Sequence, residues 1–216
     1  MKSDTQLKKD IESELEWDAS VNATQVGVAV KDGVVTLTGH LDSFAQKYAA
    51  ERAAQRVEGV KALAVELDVR LAASHKRNDA EIAAAAESAL QWHALVPDDR
   101  VKVMAEKGWI TLSGEVDWDY QRSAAMKAVH ALTGVVGVTN AITLKPQVTP
   151  ANITQRIQSA LERQAEREAK GIEVMVSGHT VTLKGKVHSW AERAAAQGAA
   201  WSAPGISSVI NELRIG

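Results

Sequence analysis

The sequence predicts an α+β protein of three tandem α-β-β-α-β domains. Each is a small mixed three-stranded sheet with two helices packed on one face. Three observations carry this expectation. The segments "VTLTGHL", "ITLSGEV" and "VTLKGKV" repeat a T-L-x-G motif ending at Gly39, Gly114 and Gly185. A second glycine follows each at a fixed spacing of 20 residues (Gly59, Gly134, Gly205) and is itself followed at once by Val60, Val135 or Ile206. Around these anchors the apolar period changes from four to two and back in the same order, and repeats of this kind are sought before elements are assigned.

Each unit opens with a helix. Its apolar stripe recurs every four residues, at Leu7, Ile11 and Leu15, at Ile82, Ala86 and Leu90, and at Ile153, Ile157 and Leu161. That is the pattern of a helix with one buried face. Ser3 or Asp4, Asn78 or Asp79, and Thr149 followed by Pro150 supply the helix starts. A short strand follows, centred on Val28, Val103 and Val174. A turn at Lys31-Asp32-Gly33, Glu106-Lys107-Gly108 or Ser177-Gly178-His179 leads into the T-L-x-G strand, completing a hairpin. An Ala-rich helix then runs to the second glycine, where a left-handed residue ends a helix without Cβ strain and the next apolar residue packs back. The last strand alternates through Leu63-Val65-Leu67-Val69, Val138-Asn140-Ile142-Leu144 and Val209-Asn211-Leu213-Ile215. Domain boundaries fall at 1–73, 74–146 and 147–216. Domains of about 70 residues bury small cores, so packing between them is expected.

The T-L-x-G glycine is expected on the inner face of the middle strand. There a missing Cβ would let helix backbone approach, with Ala49, Ala124, Ala195 and Ala53, Ala128, Ala199 completing the contact. On this view Gly114→Val overpacks its domain.

Composition narrows the function. The chain has 216 residues with 45% hydrophobic and 24% charged, which is globular, and no Cys, which excludes disulfide and thiolate chemistry. A net charge of -2 gives no general attraction to nucleic acid. The amino-terminal segment "MKSDTQLKKDIESELEW" reads as an amphipathic helix without an apolar signal core, and no stretch is long and apolar enough to span a bilayer. The sequence as written therefore predicts a soluble, cytoplasmic protein, or a periplasmic one if a signal sequence has been removed.

The unit resembles the BON domain family, a bacterial module, through "GVVTLTGHL", the Ala-rich helix and "GVKALAVEL". The strongest matches are Gly33 to Gly39 in the first copy and Gly205 to Leu213 in the third; the middle copy carries Gly134-Val135 and Val138-Thr139-Asn140. The resemblance covers essentially the whole chain. Two departures stand out: Val65 occupies the position of Asn140 and Asn211, and Arg163 occupies that of Trp17 and Trp92. The third copy also has a more helical loop, "QAEREAKG". The resemblance implies a non-enzymatic role in osmotic stress, envelope integrity or transport-associated binding, through phospholipid or membrane surfaces. It makes the six motif glycines structural.

Candidate contact residues follow from the repeat. A cation lies eight residues after each anchor glycine (Lys47, Arg122, Arg193), suited to a lipid phosphate, an acidic partner or simply a solvated helix face. Phe44, Trp118 and Trp190 stand near the start of the same helix, where they serve either a membrane or protein interface or a staple to a neighbouring domain. Trp109 is expected to be partly exposed and Trp201 to pack at a helix end. Asn140 and Asn211 are expected to bond local backbone. The first two units carry three and one excess acids and the third two excess bases, so Lys184, Lys186 and Arg193 are the cations expected at an anionic surface.

The six histidines (40, 75, 93, 130, 179, 188) share no offset and form no metal-binding motif, so no metal or cofactor is expected. No phosphate loop or nucleophile elbow is present, and Ser113 is Thr38 and Lys184 in the sister copies, so no enzyme is expected. The sequence leaves two main readings, phospholipid-surface binding and a protein-interaction or self-associating scaffold. Small-ligand or ion binding is a third.

Overall fold

A computed structural model describes residues 2–146, 150–164 and 171–215. The first domain comprises α1 (Asp4–Trp17), β1 (Val26–Lys31), β2 (Val34–Leu41), α2 (Phe44–Arg56) and β3 (Ala62–Val69). The second comprises α3 (Asp79–Gln91), β4 (Val101–Glu106), β5 (Trp109–Val116), α4 (Asp119–Val129) and β6 (Gly137–Leu144). The third comprises α5 (Ile153–Gln164), β7 (Ile172–Ser177), β8 (Thr180–Val187), α6 (Trp190–Trp201) and β9 (Ser208–Ile215). Each sheet has the T-L-x-G strand at its centre, antiparallel to the strand before it and parallel to the strand after α2, α4 or α6. The parallel pair follows from the crossover through that helix.

Every position of the predicted helix stripes is buried, from Leu7, Ile11 and Leu15 to Ile153, Ile157 and Leu161. They pack on one face of each sheet, with Val35, Leu37 and Leu41 in the first domain and their counterparts in the others. Ala53 and Ala199 are buried on the inner faces of α2 and α6 and Ala128 packs at the edge of its core, but Ala195 is exposed.

The helix starts resolve the alternatives in the sequence. Ser3 and Asn78 are the caps, accepting from Gln6 N and Glu81 N. The neighbouring aspartates reach instead to the hairpin turn. Asp4 accepts from the N–H groups of Asp32 and Gly33 (2.7 and 3.0 Å), and Asp79 from those of Lys107 and Gly108 (both 2.8 Å). Pro150 stands at this position in the third domain, where α5 begins later, at Ile153. Thr149, most of the "QAEREAKG" loop and the boundary at 147 lie outside the described residues.

The T-L-x-G glycine has a different role from the one expected. Gly39 is exposed rather than covered by a helix. The three anchors have φ of 123°, 131° and 134°. A Cβ on them would collide with the carbonyl oxygens of Gln25, Arg100 and Gly171, just before the first strand of each sheet. The glycine therefore lets the entry to the hairpin close on the middle strand, at Val26↔Gly39, Val101↔Gly114 and Ile172↔Gly185. Helix approach is not involved.

The domains pack through their second helices. Helix α2 lies against α6. Phe44 packs on the second domain's core, Trp190 on the first domain's, and Trp201 on both the second and third. The Tyr48 ring meets His130 edge-on at 5.1 Å. Each domain thus touches both others.

Candidate functional site

The repeated cation on the second helix turns back onto its own sheet in two copies. Lys47 Nζ donates to the Leu67 carbonyl (2.8 Å), and Arg193 Nη2 to the Asn211 carbonyl (2.9 Å). In the second copy the side chain differs: Arg122 pairs with Asp119 and stacks on Trp201 of the third domain. Arg193 lies over Trp190, 5.0 Å from the ring centroid. Both Trp190 Nε1 and Arg193 Nε are buried in this packing without a hydrogen-bond partner.

Asn140 Nδ2 donates to the Arg122 carbonyl (2.9 Å) while its Oδ1 accepts from Ile142 N (3.2 Å). Asn211 donates to Gln197 Oε1 (3.1 Å) and accepts from Leu213 N (3.2 Å). These asparagines tie the last strand to the second helix. Trp118 is the half-buried N-cap of α4, with its N–H donating to Gln121 Oε1 (3.0 Å). Phe44, Trp190 and Arg122 lie at three separate contacts between domains and Arg193 stacks on Trp190 within the third, whereas Lys184 and Lys186 stand on the open face of the third sheet. Lys184 there pairs with Glu212 at 3.5 Å, and Lys186 lies opposite Arg214. The structure does not gather the sequence-predicted residues into one cleft.

Two aromatics outside that set are the most exposed large apolar groups described. Trp17 is 86% and Trp92 88% exposed, at equivalent positions ending α1 and α3. Leu95 is exposed three residues beyond Trp92. The sequence carries the signal for both: each tryptophan recurs two residues past the last buried leucine of its stripe, about 200° round the helix and so on the face away from the core. Trp109 is partly exposed and caps the sheet surface, its ring lying over Gly137 and its Nε1 donating to Thr139 Oγ1 (2.8 Å). Among the described residues no group of three or more His, Cys, Asp or Glu is placed to hold a metal ion.

Three copies of one topology, with the same two glycines and the same register, find their counterpart in known sequences. The BON domain profile matches residues 3–70, 78–146 and 149–216. The chain belongs to the BON domain family. A relative, osmotically-inducible protein Y of Escherichia coli (strain K12), is 32% identical over 146 residues, covering 66% of this chain and 73% of that protein. Among solved structures, CdsD, a structural protein of the type III secretion system of Chlamydia trachomatis, aligns at 15% identity over 96% of this chain and 91% of its own, with a TM-score of 0.25. The CdsD C-terminal domain aligns at 13% identity, with full coverage of both chains and a TM-score of 0.25.

Proposed function

We propose that this BON protein is a non-enzymatic stress-response protein that binds peripherally to a phospholipid surface, with Trp17 and Trp92 as its inserting side chains. The observation that carries the reading is their near-complete exposure at repeated positions. An indole is amphipathic and partitions to the membrane–water interface. At the usual area coefficient, moving the roughly 150–250 Å² of one wholly out of water contributes about 4–6 kcal/mol, so two supply a reversible contact once the entropy cost of docking is met. The osmotic induction in the relative's name supports a stress-related role. Such binding requires no spanning segment, and no described helix is long and apolar enough to cross a membrane. Lys184 and Lys186 form a separate, salt-sensitive contact on the third sheet.

Flotation with mixed phosphatidylcholine and phosphatidylglycerol vesicles across a salt series tests this. Trp17→Ala with Trp92→Ala is expected to remove the salt-resistant binding, and Lys184→Ala with Lys186→Ala the part that fades with salt. No binding at low salt overturns the proposal. A fixed oligomer in light scattering without vesicle binding would favour the scaffold reading, since exposed Trp also suits protein interfaces.

A further inference from the structure

We propose that the groove between α5 and the carboxyl end of α6 binds a phosphate monoester. It has a volume of about 430 Å³ and is lined by Arg156, Ser159 and Arg163 from α5 and by Ser202, Ala203 and Pro204 beyond the other wall. The three-fold repeat provides an internal comparison. In the first domain the same groove is lined by Asp10, Ser13, Glu14, Trp17, Arg56 and Glu58. By repeat position Asp10 becomes Arg156, Glu14 becomes Ala160, Trp17 becomes Arg163, Arg56 becomes Ser202 and Glu58 becomes Pro204. The second domain carries the uncharged Ala85, Ala89, Trp92, Ala131 and Thr133 at these positions. One serine is kept throughout, as Ser13, Ser88 and Ser159.

The first groove neutralises itself. Arg56 pairs with Glu14 (2.7 Å) and Asp18 (3.0 Å), and Lys2 pairs with Asp10 (2.8 Å). In the third groove every one of those acids is gone and two guanidinium groups have arrived. Among the described residues no carboxylate lines it, and neither Arg156 nor Arg163 has a side-chain partner. The two arginines stand seven residues apart, about 10 Å along one helix face, with Ser159 between them. Two long side chains can close on one anion from both ends of that span. Their forks match phosphate oxygens bidentately, and their combined charge matches a monoester dianion. The groove is larger than a bare phosphate requires, and Ala160, Ala199, Ala203 and Pro204 provide an apolar wall for the ester's carbon part.

Calorimetry and thermal melts on the full chain test the site with glycerol 3-phosphate as probe, against sodium sulfate and chloride at equal ionic strength. Saturable binding and a raised melting temperature are expected with the ester, a weaker effect with sulfate, which offers the same oxygens but no carbon part for the apolar wall, and none with chloride. Arg156→Ala with Arg163→Ala is expected to weaken binding roughly tenfold or more, as charge-assisted hydrogen bonds are lost. The double Lys variant keeps the charge without the fork and should also weaken it, while Lys2→Ala with Arg56→Ala in the first domain should not. Vesicles containing phosphatidic acid separate the two sources of this chemistry. Binding lost in the arginine variant but kept in Trp17→Ala/Trp92→Ala assigns a lipid headgroup; binding of the soluble ester alone assigns a free metabolite. No saturable binding to either probe, or binding undiminished by the alanine pair in a variant that melts normally, overturns the site. The outcome is independent of whether the tryptophans contact membrane.

Discussion

The guanidinium carbon of Arg122 in the second domain lies 4.5 Å from the centre of the Trp201 ring in the third. Trp201 also packs on the cores of both domains, so this one side chain joins two folding units. Trp201→Ala is expected to destabilise the chain by about 3 kcal/mol, the lower end for an aromatic truncated in a core. A double-mutant cycle with Arg122→Ala should isolate a coupling of about 0.5–2 kcal/mol, read from denaturant unfolding. Additive effects would remove the stacking from the account.

Even the smallest side chain should be rejected at the anchor glycines. Gly114→Ala places a Cβ against the Arg100 carbonyl and forces φ of 131° on an alanine. A loss of about 1–3 kcal/mol or more is expected in urea melts. An Ala variant as stable as the parent would remove the collision with the Arg100 carbonyl from the account.

The aspartate clamp should make the second domain acid-sensitive. The backbone N–H of Gly108, and next that of Lys107, hold the Asp79 carboxyl below the usual carboxylate range. A lowered folded pKa contributes stability that is present above the unfolded value near 4 and is lost as pH falls through the folded value. Asp79→Asn is therefore expected to lower the melting temperature at pH 7 and to flatten its dependence below pH 4. A parallel pH profile in the variant would argue against the clamp.

Glu51 should act in the opposite direction. Burial on α2 raises its carboxyl pKa, against a smaller opposing effect of Lys47. For an acid with a raised folded pKa, the associated stability is complete below the unfolded value and disappears as pH rises through the folded one. Glu51→Gln is expected to raise the melting temperature at pH 7 by roughly 1–2 °C and to leave it unchanged at pH 3. A decrease at pH 7 would mean that the carboxylate holds a stabilising partner.

Much of this fold was legible because its information is local. The stripe Leu7, Ile11, Leu15, the alternation of Val35, Leu37 and Leu41, and the turn glycines each act within one element, and the triplication states each of them three times. The role of Gly39 was not legible, since its reason is a carbonyl at Gln25, fourteen positions away in sequence and brought near only by the hairpin. Nor could the stripe show that Asp4 and Asp79 leave the cap to Ser3 and Asn78 and bind the turn instead. Among the candidate contact residues, sequence identified the repeated cations and aromatics, but their orientation depended on neighbours in other domains.

Sequence alone determined the three α-β-β-α-β units, their order and their buried faces. It did so because apolar periodicity and fixed glycine spacing record contacts inside each unit. The tertiary structure decided which side chains remain available to a partner. Docking of the second helices covers Phe44 and Trp190 and places Arg122 on Trp201. That choice depends on the distance between groups far apart in the chain, which no periodicity encodes.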